Sequence, residues 1–224
     1  MASNMLPTSY QEFIHKSRYA RWMEEEGRRE NWGETVSRYV NFMADTLMEK
    51  HNYKIDKVDK EMMEDYITSL SVMPSMRAMM TAGEALKRDN TCGYNCSYLP
   101  VDSPRSFDEA MYILMCGTGV GFSVERENVD KLPIISENMQ ESDVVIKVED
   151  SKAGWAKAYR ELVALLYSGM IPTWDVSKVR PSGARLKVMG GRASGSDPLV
   201  NLSKFTIEKF KGATGRKLFP IECH

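Results

Sequence analysis

The sequence predicts an α/β protein, with a helical N-terminal region over residues 1–90 and an α/β segment over residues 91–224. Three observations predict it. Apolar residues recur near helical spacing through the first seventy positions. After Gly83 the pattern shifts to short apolar runs bounded by Gly and Pro. Those runs then alternate with amphipathic stretches, the order of βαβ units.

The first helix is expected over residues 8–30, opened by Thr8 as N-cap and carrying Phe13, Ile14, Tyr19 and Trp22. Residues 34–50 place Val36, Tyr39, Val40, Met43 and Leu47 on one side of a second. Residues 57–72 repeat the pattern with Val58, Met62, Tyr66 and Leu70, and Pro74 closes it. A short strand follows over Tyr94–Val101. Ser103-Pro104-Arg105 then starts a helix with Phe107, Ala110, Met111 and Leu114 on its apolar face, ended by Gly117-Thr118-Gly119. Val120–Val124 reads as a buried strand and Val144–Val148 as another. Residues 151–167 form an amphipathic helix, residues 178–198 an ordered loop rich in Gly, Arg, Ser and Pro, and residues 199–211 a last helix.

Composition excludes several function classes. The net charge is -1 over 224 residues, with no overall basic excess for nucleic acid. No run reaches the roughly 20 apolar residues of a membrane span. The start lacks a basic-then-apolar leader, so the expected location is cytoplasmic. Four cysteines, Cys92, Cys96, Cys116 and Cys223, are too scattered for a secreted disulfide scaffold. The sixteen methionines fall mostly in helical stretches, as core filling does.

Three segments carry candidate chemistry. In Thr91-Cys92-Gly93-Tyr94-Asn95-Cys96, two thiols sit four positions apart and suit a structural, a redox or a metal role. A zinc site would need two more ligands, and His15, His51 and His224 do not fall at zinc spacing. In Cys116-Gly117-Thr118-Gly119-Val120-Gly121, glycines between helix and strand allow a ligand to approach backbone, or simply form a tight turn. Helix before strand is the reverse of the dinucleotide fingerprint. In Arg180-Pro181-Ser182-Gly183-Ala184-Arg185-Leu186-Lys187, continuing to Gly190-Gly191-Arg192-Ala193-Ser194-Gly195, arginines and glycines suit phosphate oxygens or form a solvated basic loop.

Taken in order, these segments resemble ribonucleotide reductase catalytic chains. The most specific stretch runs from Tyr94-Asn95-Cys96-Ser97-Tyr98-Leu99-Pro100-Val101-Asp102-Ser103 to Met115-Cys116-Gly117-Thr118-Gly119-Val120-Gly121-Phe122. Pro74-Ser75-Met76-Arg77 and the Arg180 loop look most like the adenosylcobalamin-dependent class, particularly its triphosphate-using branch in bacteria and phages. About fifty residues between Val124 and Arg180, absent from the aerobic two-subunit relatives, point the same way. The resemblance is strong over residues 70–224, and the helical N-terminus adds little to it.

The resemblance implies a helical region followed by the first half of a ten-stranded α/β barrel. It implies replacement of the ribose 2′-hydroxyl by hydrogen through a thiyl radical. Cys96 matches the first cysteine of the reducing pair, with its partner outside this chain. Gly119 and Gly121 match the glycines that admit substrate. Asp102 matches the residue reading the deoxyribose of an allosteric effector, Arg180 an arginine on its phosphates, and Gly183 the small residue of that loop. Asn95 departs from the pattern, standing where many relatives have a substrate-holding serine. The implied cofactor is adenosylcobalamin, bound mainly outside this chain. Implied partners are a complementary C-terminal reductase polypeptide carrying the radical cysteine, a ribonucleoside triphosphate substrate, a deoxynucleoside triphosphate effector and a thioredoxin-like reductant. No membrane or nucleic-acid partner is implied. The chain is expected to be one part of an enzyme, inactive alone. The alternatives are a nucleotide-binding regulatory fragment and a diphosphate-reducing member of the same family.

Overall fold

The computed structural model describes residues 6–186 and 191–224. The chain divides into two compact units at Asn95/Cys96.

In the first unit, Thr8 caps α1 (Ser9–Ile14) through a reciprocal box with Gln11. The helix widens into a π-helical turn at His15–Tyr19. The chain then forms a small antiparallel hairpin, β1 (Trp22–Met23) with β2 (Arg28–Arg29). The single helix expected over residues 8–30 is therefore not formed. Phe13 and Trp22, meant for its buried face, are 65% and 45% exposed. Without a buried stripe nothing holds a long helix together, and Gly27 takes the positive φ that the hairpin turn requires.

Asn31 and Glu34 form a second capping box at the head of α2 (Trp32–His51), and Asn52 ends it in the left-handed conformation. Next come α3 (Lys57–Thr68), α4 (Met76–Thr81), α5 (Glu84–Arg88) and a 3-10 turn at Asn90–Gly93. α3 stops short of the expected residue 72 because Leu70 turns left-handed. Trp32, Val36, Val40, Ile67 and Met79 form the core of this unit.

The second unit holds two successive βαβ arrangements. In the first, β3 (Cys96–Pro100), α6 (Arg105–Met115) and β4 (Gly119–Ser123) follow in order, and the strands pair in parallel. After a short α7 (Arg126–Val129), the second comprises β5 (Gln140–Lys147), α8 (Lys152–Tyr167) and β6 (Met170–Asp175), also parallel. α9 (Asp197–Lys211) and α10 (Pro220–Cys223) complete the unit. Its core runs through Leu99, Ile135, Val148, Leu162, Leu166 and Phe210.

Three expectations need correction here. β4 is not buried, since Phe122 is 43% exposed and both strand glycines are exposed. A strand with one neighbour and one covered face cannot be buried throughout. β5 begins four residues before the expected Val144, because Gln140 and Glu141 pair with β6 through backbone while their side chains carry no apolar signal. No strand was expected between residues 167 and 178, where β6 forms with Pro172 inside it; as the outer member of a two-stranded sheet it has an edge that tolerates proline. Among the described residues the strands form three two-stranded sheets, β1-β2, β3-β4 and β5-β6, and the ten-stranded barrel is not formed within them.

Candidate functional site

Parallel pairing sets Cys96 opposite Gly119, Ser97 opposite Val120, and Tyr98 opposite Gly121. Side chains alternate along a strand, so Cys96 and Tyr98 share one face of β3 with Gly119 and Gly121 beside them on β4. Cys96 is exposed and free, whereas Cys92 and Cys116 are fully buried. The Sγ of Cys92 donates to Asp89 O at 3.1 Å, and Lys152 Nζ lies 3.2 Å from Cys116 Sγ. Burial and the neighbouring Glu222 push the Cys223 thiol up to about 11. Exposure thus separates Cys96 from the other three. A Cβ at Gly121 would meet only Ser97 O, at 3.6 Å, so that face stands open.

The opposite face of the same two strands borders an apolar cavity of about 460 Å³. Val120 and Phe122 line it with Phe107, Met111 and Leu114 of α6 and Phe205 of α9. Neither Cys96 nor either strand glycine lines it. The candidate substrate residues therefore occupy an open sheet face rather than an enclosed pocket.

Asp102 follows the C-terminal end of β3 and lies 3.9 Å from Lys131 Nζ, a loose and largely exposed pair. Arg180 follows the C-terminal end of β6, and its Nε donates to Asp150 Oδ2 at 2.7 Å. Among the described residues no hydrogen bond or ion pair joins Asp102 to Arg180. Beyond Arg180 the loop returns on itself. Gly183 N–H donates to Ala193 O, Ala193 N–H to Ala184 O, and Leu186 N–H to Gly191 O. Arg192 Nη1 ties the strands of this turn by donating to Gly183 O at 3.0 Å. Gly183 has φ +86 and open space around its missing Cβ. Glycine is there for backbone conformation, and no neighbouring atom crowds the position. Lys187 and Gly190 of the expected loop lie outside the described residues.

Sequence reasoning missed Asp150 and the pair Asp108–Arg160. Asp150 directly precedes Ser151, the N-cap of α8; an Asp-Ser step before an amphipathic helix is a visible signal of a helix start and carries none of a pairing with Arg180. Asp108 is 1% exposed, and its Oδ2 accepts from Arg160 Nη2 at 2.7 Å and Nε at 3.0 Å. Its other oxygen, Oδ1, is buried without a hydrogen-bond partner among the described residues. No spacing signal links residues 52 positions apart. No described helix is long and apolar enough to cross a membrane, and no described cluster of three His, Cys, Asp or Glu side chains suits a metal ion.

Two family descriptions match the chain. "Ribonucleotide reductase alpha domain" matches residues 2–84, and "B12-dependent ribonucleotide reductase, insertion domain" matches residues 121–208. The first match covers the helical N-terminus, where the motifs carried little resemblance. The second brackets the segment between Val124 and Arg180. Adenosylcobalamin-dependent ribonucleoside-triphosphate reductases are similar along nearly the whole chain. That of Lactobacillus helveticus is 26% identical, that of Lactobacillus leichmannii 25% and that of Lacticaseibacillus paracasei 26%, each aligned over 93% of this chain. The chain spans 37% of the length of these relatives. A crystal structure of a B12-dependent (class II) ribonucleotide reductase superposes with a TM-score of 0.82 at 23% identity, covering 94% of this chain and 38% of that one. That likeness establishes the fold.

Proposed function

We propose, from the premise that this chain belongs to the B12-dependent ribonucleotide reductases and carries their N-terminal portion, that it supplies substrate and effector surfaces and one redox cysteine to the reduction of ribonucleoside triphosphates. The observation that carries this reading is the open face of β3 and β4, where an exposed thiol lies in register with a glycine. A thiol that gives electrons acts through its thiolate and must reach both substrate and partner sulfur. Buried Cys92 and Cys116 meet neither need. Gly119 and Gly121 leave the strand without side chains where a ribose would lie against it.

In this scheme Cys96 and a second cysteine outside residues 1–224 pass two electrons to the sugar. The 2′-hydroxyl leaves as water, and the two sulfurs join as a disulfide that a thioredoxin-like reductant reopens. Adenosylcobalamin supplies the initiating radical when bound. Its cobalt is carried by its own corrin ring, and neither Cys96, Gly119 nor Gly121 lines the apolar cavity of the second unit; no step on this chain runs through it, and a complementary polypeptide would hold it. The completed enzyme would extend the β3–β4 pair into the ten-stranded barrel, with β5 and β6 standing in the inserted segment. Asp102, Arg180 and Gly183 would form the effector site, Asp102 toward the sugar and Arg180 toward the phosphates.

The test is Cys96→Ser in the enzyme reconstituted with the complementary polypeptide. We expect multiple turnover with dithiol reductant to be lost and nucleotide binding to stay near normal, while Cys92→Ser and Cys116→Ser keep turning over. Full activity in Cys96→Ser would show that another thiol is the donor.

A further inference from the structure

The geometry points to Asp150 as the residue that positions Arg180 for a phosphate-bearing ligand, an assignment that rests on the effector-site reading above. β5 and β6 are parallel neighbours. Asp150 follows the C-terminal end of β5 and Arg180 that of β6, so both emerge at the same end of the sheet. Oδ2 of Asp150 accepts from Nε of Arg180 at 2.7 Å. Among the described residues this is the only side-chain bond Arg180 makes. Nη1 and Nη2, spaced to grip two phosphate oxygens, are left unclaimed.

The backbone around Asp150 is itself held. Val148 N–H donates to Asp175 O, and Ser151 N–H donates to Glu149 O. The Ser151 side chain accepts from Gly154 N–H at 3.0 Å and caps α8. Asp150 thus sits between a paired strand and a capped helix. An unrestrained arginine gives up many rotamers when it binds, which weakens binding. A carboxylate already holding Nε removes part of that loss. A carboxylate acting as a rival for phosphate would instead occupy the paired terminal nitrogens.

The sign of one effect separates positioning from rivalry. Removing a negative charge beside an anion site ordinarily tightens anion binding. If Asp150 positions Arg180, removing its side chain weakens binding in spite of that. Residues 1–224 would be titrated calorimetrically with deoxyguanosine triphosphate and, separately, with inorganic tripolyphosphate. Arg180→Ala is expected to weaken both by about tenfold or more. Asp150→Ala should weaken both by roughly threefold to tenfold, and the double variant should be no weaker than Arg180→Ala alone, because coupled residues are not additive. Asp150→Asn, whose amide oxygen still accepts from Nε, should bind at least as well as the unaltered chain, and it remains readable if the alanine variant unfolds. Tighter or unchanged binding in Asp150→Ala, or weaker binding in Asp150→Asn, overturns the positioning role while leaving the effector site standing. Unchanged binding in Arg180→Ala, or no binding of either probe by the unaltered chain, overturns the effector site and this role with it.

Discussion

His15 is 3% exposed, and its Nε2 lies 2.9 Å from Thr35 Oγ1, which donates to Glu30 Oε2 at 2.9 Å. Arg38 closes the network by donating from Nε and Nη2 to the two oxygens of Glu30, and from Nη1 to the carbonyls of Met79 and Ala82. Burial works to raise the Glu30 pKa, but the bonds and charge of Arg38, with the Arg21 N–H and the Thr35 hydroxyl, together outweigh it and hold the carboxyl below its ordinary value. Burial pushes His15 the other way for a base, below its ordinary value, against the pull of Glu30 and with the help of Lys16 and Arg38. A histidine depressed in the folded state binds fewer protons there than in the unfolded chain. Its contribution is therefore complete above the unfolded pKa, about 6.5, and is lost as the pH falls below it. We expect hydrogen exchange in α2 to show opening that becomes easier between pH 7 and pH 5. His15→Gln should flatten that dependence. An unchanged profile in the variant would assign the acid sensitivity elsewhere.

α6 and α8 are the crossover helices of the two βαβ arrangements, and the buried carboxylate of Asp108 joins them through Arg160. With Oδ1 unpartnered among the described residues, Arg160 is the counter-ion that offsets the burial of that charge, beside the N-terminal end of α6 in whose first turn Asp108 sits. Breaking a buried pair from one side costs more than the pair contributes, because the remaining charge stays buried. Arg160 is 47% exposed at its side chain, which lets water soften the loss. We expect Arg160→Ala to destabilise the second unit by roughly 2 kcal/mol, below the 3–5 kcal/mol of a fully buried pair. Asp108→Asn together with Arg160→Ala should recover part of it, since no charge is then stranded. Denaturant midpoints for the single and double variants decide this; an additive double loss would show that Arg160 acts through packing.

The second unit leaves apolar groups in water, among them Phe122, Val144, Val145, Phe205 and Ile221. Its sheets are two-stranded, so each strand presents an unpaired edge among the described residues. Open edges and apolar patches favour association. We expect residues 1–224 alone to bind hydrophobic dye, to self-associate in sedimentation, and to form no deoxynucleotide even with adenosylcobalamin and dithiol. The complementary polypeptide should abolish dye binding and raise the melting temperature. Deoxynucleotide formation by the pure chain would refute the proposed division of parts.

The elements with strong local signals were legible in the sequence. α2, α6, α8 and α9 fall within a few residues of their expected positions because their amphipathic spacing and caps are local properties. The parallel order of β3 and β4 was implicit in strand–helix–strand spacing, and the Asn95-Cys96-Ser97 and Gly119–Gly121 motifs marked the family. Tertiary structure alone decided the rest. The segment after α1 became a π-helical turn and a hairpin because no partner surface covered Phe13 and Trp22. β6 formed around Pro172 because that residue falls at the register shift between Ile171 and Thr173, where the ladder with β5 is interrupted. Cys96 stood apart from Cys92 and Cys116 only through burial, which spacing does not encode. Asp150 and Arg180, thirty positions apart in the chain, met only because two parallel strands end side by side.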